Sequence, residues 1–335
     1  MRAVATTIGG IDMFVPFAFI FRQAELFDAA SMTGLQVLLV AGTHGNESNG
    51  PWLVDQWLLD PALLQTHGVT VLPVIGNPEA RAAERRYLDR DLNRSFLPEL
   101  MAEASPPDRE VRRAQQLLSV FGPEGLKPCQ IVIDLHSTTS SMGSSLVVYG
   151  RRPADLALAA LIQARLGLPV YLYEADQAQQ GFLVEHWPCG LVVEIGPVPQ
   201  SLVDARIVAQ TLLAVEGCCE AIAQVQAGSA LYPDRLVVHR HLGSLDLPRD
   251  AAGRPAACVH QNRQGRDWQP LRHGDPLFQS LDGGVLCFEG ADSPRPVFIN
   301  EAAYAEKHIA MSLTKREVWP LAVEWAGALS CLVSQ

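Results

Sequence analysis

The sequence LQVLLVAGTHGNE at residues 35–47 joins a continuous apolar run to a polar segment that begins at Gly42. An uninterrupted apolar run of this length is typical of a strand buried on both faces of a parallel sheet. Other apolar runs alternate with helical patterns along the chain: runs at 69–75, 131–134, 146–149, 170–173 and 191–195, and helical patterns at 50–59, 109–121, 154–166 and 200–226. This alternation predicts an α/β layer with a largely parallel sheet.

The C-terminal third of the chain has a different pattern. After about Gly228, short β-like segments follow one another and are separated by turns such as DGG at 282–284. A length of 335 residues allows two domains of about 150 residues each. We therefore predict an N-terminal extension at 1–31, a larger α/β domain at 32–227 and a smaller β-rich domain at 228–335.

The N-terminal extension contains an apolar stretch, MFVPFAFIF at 13–21, that Pro16 interrupts. The stretch follows Asp12 rather than a basic cluster, and no clear cleavage site comes after it, which disfavours a secretory signal peptide. We expect either an extra strand or loose arm, or a true start of translation at Met32.

The charge balance excludes some classes of partner. The chain has 26 Lys and Arg against 36 Asp and Glu, a net charge of -10 at pH 7, which argues against nucleic acid or an anionic membrane as the main partner. No apolar run reaches the roughly 18 residues that span a bilayer. Seven cysteines without a CxxC pair predict buried thiols in a reducing compartment, and hence a cytoplasmic protein.

Histidines and a carboxylate follow two of the predicted strands. His44 and Glu47 come directly after the first apolar run, and His136 follows the run that ends in Asp134. Sites in open α/β sheets form at the carboxyl ends of the strands, and two histidines with one carboxylate are the ligand set of a catalytic zinc. It is equally open at this point whether His44 and Glu47 are ordinary surface residues, and whether Asp134 is a strand-end acid rather than a group that orients a ligand.

Two further features suit hydrolysis. Glu194 lies in the apolar sequence VVEIGP, where an unpaired acid is costly to bury. Glu194 is either the carboxylate that takes a proton from water and passes it to a leaving amine, or a salt-bridged structural acid. The segment RYLDRDLNR at 86–94 contains three arginines, which either bind carboxylates and stabilise an oxyanion or form a solvated face.

Six motifs together carry a resemblance to a known family: AGTHGNE at 41–47, RYLDRDLNRSF at 86–96, DLHSTTSSMG at 134–143, VEIGPVPQ at 193–200, DWQPLRHGDPLF at 267–278 and VFINEAAYAEK at 297–307. By these motifs the sequence resembles the aspartoacylase branch of the succinylglutamate desuccinylase/aspartoacylase family, whose fold is similar to that of zinc carboxypeptidases. The resemblance implies an α/β fold with a zinc-carboxypeptidase-like mixed sheet flanked by helices. It also implies a smaller β-rich C-terminal domain that partly covers the active site.

The resemblance further implies an activity, which is zinc-dependent hydrolysis of the amide bond of N-acyl amino acids. N-acetyl-L-aspartate, cleaved to acetate and L-aspartate, is the leading substrate, with one Zn²⁺ per subunit and a dimer or higher homo-oligomer. The implied residues are His44, Glu47 and His136 as zinc ligands, Glu194 as general base and acid, Arg86 for the acyl carbonyl and its oxyanion, and Asn93, Arg94 and Tyr304 for the carboxylate of the amino acid.

Two departures from the family pattern leave the substrate open. An arginine that contacts the aspartate carboxylates is expected shortly before the VEIGP motif, but Phe182 lies near that place, and His308 stands where a lysine is expected. Phe182 suits a related branch that deacylates N-acetylated aromatic amino acids, whereas His186 either supplies part of the missing charge or is a packed or surface histidine. The sequence is also compatible with a desuccinylase, a carboxypeptidase or a non-catalytic protein that binds zinc or a small molecule.

Overall fold

A nine-stranded mixed sheet forms the centre of the fold. It is seen in a computed structural model that describes residues 34–102, 108–174 and 180–334. The apolar stretch at 13–21 and the alternative start at Met32 lie outside the described residues.

The strands are β1 (Gln36–Ala41), β2 (Thr70–Ile75), β3 (Ile131–Ser137), β4 (Ser144–Tyr149), β5 (Val170–Tyr173), β6 (Cys189–Ile195), β7 (Arg235–Leu245), β8 (Cys258–Val259), β9 (Pro276–Gln279), β10 (Val285–Cys287), β11 (Arg295–Val297) and β12 (Met311–Pro320). The helices are α1 (Asn49–Leu59), α2 (Pro78–Ala82), α3 (Pro98–Met101), α4 (Arg109–Phe121), α5 (Pro153–Leu166), α6 (Ala205–Gln226) and α7 (Val323–Val333). Short 3₁₀ turns lie at Pro61–Leu63, Leu92–Arg94, Leu183–His186 and Ala302–Lys307.

The central sheet has the order β11–β12–β7–β5–β4–β6–β3–β1–β2. The strands β2, β1, β3 and β6 are parallel, whereas β4 is antiparallel to β6 and β12 is antiparallel to both β7 and β11. The predicted mixed sheet is therefore confirmed. The apolar runs predicted the inner strands β1, β3 and β6 because both faces of the sheet are covered there.

Several boundaries differ from the sequence prediction, and the largest differences in the α/β part of the chain are at the end of β3 and the start of α6. β3 continues past Asp134 to Ser137, so that His136 is part of the strand rather than of the loop after it. Helix α6 begins at Ala205 rather than near residue 200, because the Asp204 side chain accepts hydrogen bonds from the backbone N–H groups of the first turn and so caps the helix there.

Four helices pack together on the apolar core of the sheet. Contacts join α5 to α6 and α7, and α1 to α6, and their buried side chains share one hydrophobic cluster with alternate residues of β1, β3 and β6. By length and composition alone, α6 is the one helix in the described ranges that could span a membrane. Half of its apolar window is buried within the protein, as in the core helix of a globular fold.

The C-terminal part of the chain is β-rich, as predicted. The strands β10, β9 and β8 form a separate antiparallel sheet, and Leu277 and Phe278 of β9 pack with Met311 of β12 in a second hydrophobic cluster. The strands β7, β12 and β11 instead extend the central sheet. The predicted domain boundary at residue 227 stays a prediction.

Candidate active site

The three predicted metal ligands meet at the carboxyl ends of β1 and β3, which are neighbours in the sheet. His44 and Glu47 lie in the turn that follows β1, and His136 is the next-to-last residue of β3. Ligand atoms of the three side chains lie within 4.8 Å of one another, and all three residues are buried. Burial excludes the interpretation of His44 and Glu47 as ordinary surface residues.

The hydrogen bonds of the two histidines show why a cation fits between them. His44 Nε2 lies 3.0 Å from Asp91 Oδ1, and His136 Nε2 lies 2.8 Å from Asp134 Oδ2. Because a carboxylate accepts hydrogen bonds, Asp91 and Asp134 suit a ring proton on Nε2, the tautomer in which each Nδ1 can bind a metal ion. The two Nδ1 atoms are 3.1 Å apart, and they face Glu47 oxygens at 2.7 Å and 3.1 Å.

These separations are close to the ~3.3 Å between two ligands of a tetrahedral zinc ion. Two imidazole nitrogens and a carboxylate are also donors that Zn²⁺ accepts without any thiolate. Asp91 and Asp134 fix the orientation of the two rings, and the Thr43 hydroxyl donates to Asp134 Oδ1 at 2.7 Å. The donor set therefore fits zinc.

The turn that carries His44 and Glu47 packs directly on neighbouring backbone. A Cβ atom added at Gly45 would lie 2.2 Å from the carbonyl carbon of Ala80 in α2, so the approach requires glycine. The Gly45 N–H donates to the Arg86 carbonyl oxygen at 3.1 Å. The metal-ligand turn and the segment at 86–94 are thus joined through their main chains.

Glu194 lies in β6, opposite His136 in the register of the sheet, and lines the same pocket. Burial raises the pKa of its carboxyl group to about 8, and the charges of Glu47 and Glu301 add to this rise, while His136 opposes it. A carboxyl group whose pKa lies near neutrality can both take up and give back a proton under ordinary conditions.

Arg86 lines the pocket between two acids. Its Nη1 donates to Glu47 Oε1 and its Nη2 to Asp91 Oδ2, both at 3.3 Å. Burial lowers the pKa of Arg86, but the charges of Asp91 and Glu47 outweigh burial and leave the pKa raised. The buried Nε–H has no hydrogen-bond partner among the described residues, so this cation retains one unpaired donor.

Three predicted substrate-binding residues, Asn93, Arg94 and Tyr304, line the same pocket. The Asn93 side-chain oxygen accepts from the Leu183 backbone N–H at 2.8 Å, which leaves its amide group as a donor. The Arg94 guanidinium lies 4.2 Å from the ring centre of Phe182. Tyr304 arrives from the 3₁₀ turn Ala302–Lys307 in the C-terminal part, and burial raises its pKa, so its hydroxyl stays protonated.

Aromatic rings form one wall of the pocket. Phe182 stacks on Tyr149 with ring centres 3.8 Å apart, and Phe298 lies 5.2 Å from Tyr304. The aromatic residues that line the pocket are Tyr149, Tyr171, Tyr173, Phe182, Phe298 and Tyr304. Phe182, which lies near the place where an arginine was expected, is thus part of an aromatic wall.

Neither His186 nor His308 is among the described residues that line the pocket. His186 packs on Phe96 with ring centres 5.5 Å apart, and burial lowers its pKa. His308 is exposed and ends the 3₁₀ turn in a left-handed conformation with φ of 55°. Neighbouring Lys307 instead places its Nζ 3.8 Å from Asp91 Oδ2.

Sequence reasoning gave no role to several residues that the structure brings to the site. Asp91 lies inside a quoted motif, between Arg86 and Asn93, and its position there was the available signal. Tyr171 and Tyr173 alternate along β5, and residues two apart on a strand share a face. Glu301 also lines the pocket: it accepts hydrogen bonds from the Thr138 hydroxyl and from the backbone N–H groups of residues 139 and 140.

The comparisons with known proteins agree with these features. Residues 33–222 match the family described as succinylglutamate desuccinylase/aspartoacylase catalytic domain, and residues 234–316 match the AstE/AspA barrel-sandwich hybrid domain. A probable aspartoacylase of Prochlorococcus marinus (strain MIT 9313) is 72% identical over 302 residues, which cover 90% of this chain and 99% of that protein. A probable aspartoacylase of Parasynechococcus marenigrum (strain WH8102) is 56% identical over 303 residues, 90% of this chain and 100% of the relative.

Solved structures extend the comparison to the fold. Murine aminoacylase 3 superposes with a TM-score of 0.77 at 34% identity, covering 86% of this chain and 97% of that chain. Succinylglutamate desuccinylase of Vibrio parahaemolyticus superposes with a TM-score of 0.55 at 18% identity, over 84% of this chain and 82% of that chain. At that lower identity the likeness concerns the fold alone.

Proposed function

Because this chain belongs to the succinylglutamate desuccinylase/aspartoacylase family, a family of deacylases, we propose that it is a zinc-dependent amidohydrolase of N-acyl amino acids. The observation that carries the proposal is one pocket that contains a set of zinc donors, Glu194 and Arg86. N-acetyl-L-aspartate, cleaved to acetate and L-aspartate, is the first candidate substrate, since close relatives are named probable aspartoacylases.

His44, Glu47 and His136 would hold the zinc ion. When bound, zinc would supply Lewis-acid activation, lowering the pKa of water and polarising the acyl carbonyl. Glu194 takes a proton from the attacking water and delivers it to the leaving amine nitrogen, so that the amide C–N bond breaks to give a carboxylate and a free amine. Arg86 stabilises the negative charge that develops on the carbonyl oxygen, with its Nε–H as the donor without a protein partner.

Asn93, Arg94 and Tyr304 bind the carboxylate of the amino-acid part in this proposal. They offer an amide, a guanidinium and a hydroxyl from two separate parts of the chain. These donors supply a local positive charge in a protein of net charge -10, and they orient the amide bond between the zinc ligands and Glu194.

A second candidate substrate class is favoured by Phe182. Its ring stacks on Tyr149 and under the Arg94 guanidinium, in a wall that suits the side chain of an N-acetylated aromatic amino acid. That class changes the specificity of the site and leaves its chemistry unchanged.

Measuring amine release from N-acetylaspartate, N-acetylglutamate and N-acetyltyrosine, with and without a zinc chelator, tests the proposal. We expect hydrolysis of at least one member that the chelator abolishes and added Zn²⁺ restores. Fastest turnover of N-acetylaspartate supports the first candidate, and fastest turnover of N-acetyltyrosine supports the second. Zinc bound at one ion per chain without turnover of any N-acyl amino acid would contradict the proposed activity and favour a binding protein.

Replacing Phe182 by arginine is expected to shift specificity toward the acidic substrate. A guanidinium at this position can pair with a side-chain carboxylate and removes the aromatic stack on Tyr149. One charged hydrogen bond corresponds to a gain of roughly tenfold to a hundredfold in the ratio of kcat/KM for N-acetylaspartate over N-acetyltyrosine. Phe182→Leu is the control, since it removes the ring without adding charge. An unchanged ratio in Phe182→Arg would show that Phe182 does not contact the substrate side chain.

We also place the protein in the cytoplasm and expect a homo-oligomer. All seven cysteines are free thiols, and four of them are buried, which supports a reducing compartment. Light scattering on the purified chain would determine the number of subunits.

A further inference from the structure

A buried carboxylate outside the pocket holds the segment that carries Arg86. Glu110 lies in the first turn of α4 and is fully buried. Its Oε1 accepts from the Leu88 backbone N–H at 2.7 Å and from Asn77 Nδ2 at 3.1 Å. Its Oε2 accepts from the backbone N–H groups of residues 89 and 90, at 3.1 Å and 3.2 Å.

These four bonds satisfy both oxygens of Glu110, and three of them come from consecutive backbone N–H groups. Such a run of amides forms a concave anion-binding surface, and the N-terminal end of a helix also favours negative charge. A buried carboxylate is tolerated only when its lost hydration is replaced in this way. Glu110 is not among the described residues that line the pocket.

The three backbone amides that bond to Glu110, those of residues 88–90, lie between the site residues Arg86 and Asp91 in the chain. Arg86 is two positions before Leu88, and Asp91 directly follows Arg90 in the chain. Arg86 and Asp91 bond to each other at 3.3 Å across the held segment, and Asp91 also bonds to His44. The main-chain path around Glu110 thus sets where the Arg86 guanidinium lies relative to the metal ligands.

We propose that Glu110 is a positioning residue that acts through Arg86, by fixing the backbone at residues 88–90. The proposal rests on the role given to Arg86 in the proposed function. Glutamine has nearly the same shape but offers one acceptor oxygen, and its NH₂ group would face two backbone donors. Glu110→Gln therefore loosens the segment without removing volume.

The test combines hydrogen exchange with a double-mutant cycle. In Glu110→Gln we expect exchange of the amides in the peptide covering residues 86–94 to rise about tenfold or more, while that of β1 and β3 is unchanged and zinc content stays at the wild-type value. On the best substrate of the panel, kcat falls by about tenfold to a hundredfold, as for a misplaced catalytic group, with KM changed less than about threefold.

The turnover of Arg86→Ala is the reference value for the double-mutant cycle. If Glu110 acts through Arg86, the double variant Glu110→Gln/Arg86→Ala turns over within about threefold of Arg86→Ala alone. Asp108→Asn is the matched control: Asp108 immediately precedes α4 and pairs with Arg90 at 2.8 Å, but it is partly exposed and does not contact the held amides. Asp108→Asn is expected to keep kcat within about twofold.

The positioning role would be overturned if hydrogen exchange at residues 86–94 is unchanged in Glu110→Gln. It would also be overturned if the loss of kcat in the double variant equals the product of the losses in Glu110→Gln and Arg86→Ala. If Arg86→Ala turns over like the wild type, Arg86 has no part in the proposed function. The hydrogen exchange of Glu110→Gln would still show whether Glu110 holds residues 88–90. If Glu110→Gln does not fold, Glu110→Asp keeps both acceptors at a shorter reach and is measured in its place. Exchange and kcat at wild-type values in Glu110→Asp would then contradict the proposal.

Discussion

Glu194→Gln is expected to lower kcat by about 10²- to 10⁴-fold, the usual contribution of a general acid–base group. Glutamine keeps the shape of the side chain but can neither take the proton from water nor return it to the amine. The carboxyl group of Glu194 lies in the pocket opposite His136, and burial raises its pKa to about 8, which suits proton transfer in both directions. Steady-state turnover and zinc content of the purified variant are the measurements.

The zinc content decides how this result is interpreted. A variant that keeps one zinc per chain and loses turnover places the effect on the proton transfer. Glu324→Gln, which changes an exposed acid in the first turn of α7, is the control and is expected to match the wild type. Near-wild-type turnover of Glu194→Gln with zinc bound would remove Glu194 from the mechanism.

His136→Ala is expected to abolish both zinc binding and turnover. Its Nδ1 lies 3.1 Å from His44 Nδ1 and 3.1 Å from Glu47 Oε2, so its loss leaves only two of the three donors. Losing an outer partner of a metal ligand already costs about tenfold to a hundredfold in affinity, and loss of a ligand itself is expected to cost more than about a hundredfold. Metal analysis after dialysis, together with turnover, measures the effect.

His308→Ala is the control for His136→Ala, because His308 is exposed and is not among the described pocket residues. It is expected to keep one zinc ion per chain and wild-type turnover. A His136→Ala protein that retained stoichiometric zinc would show that the metal is held elsewhere.

The inner strands of the sheet and the proximity of His44 to His136 could both be predicted from the sequence, for the same physical reason. Strands covered on both faces leave long apolar runs, and polar residues at their carboxyl ends must then lie along one edge. His44 and His136 could therefore be placed together although they lie far apart in the chain. The strand β12 left no such signal, since its charged residues at 315–317, which are exposed or half-buried, interrupt the apolar pattern.

Residues that act through main-chain hydrogen bonds could not be predicted. Glu110 lies in an amphipathic helix with a charged first turn, where an acid is ordinary. Only the folded chain shows that this acid is buried and surrounded by amides from residues 88–90. Most of the aromatic wall was missed as well: the sequence singled out Phe182 and Tyr304, but the other rings come from strands and loops that have no common spacing.

The hydrogen bonds that Glu301 accepts at residues 138–140 join parts of the chain that the ribosome makes at different times. His44, Glu47 and His136 are synthesised well before Glu301 and Tyr304. A growing polypeptide can thus possess all its proposed metal ligands before it possesses the residue proposed to seat the substrate. In the proposed function, selective hydrolysis therefore waits until residue 304 has been made.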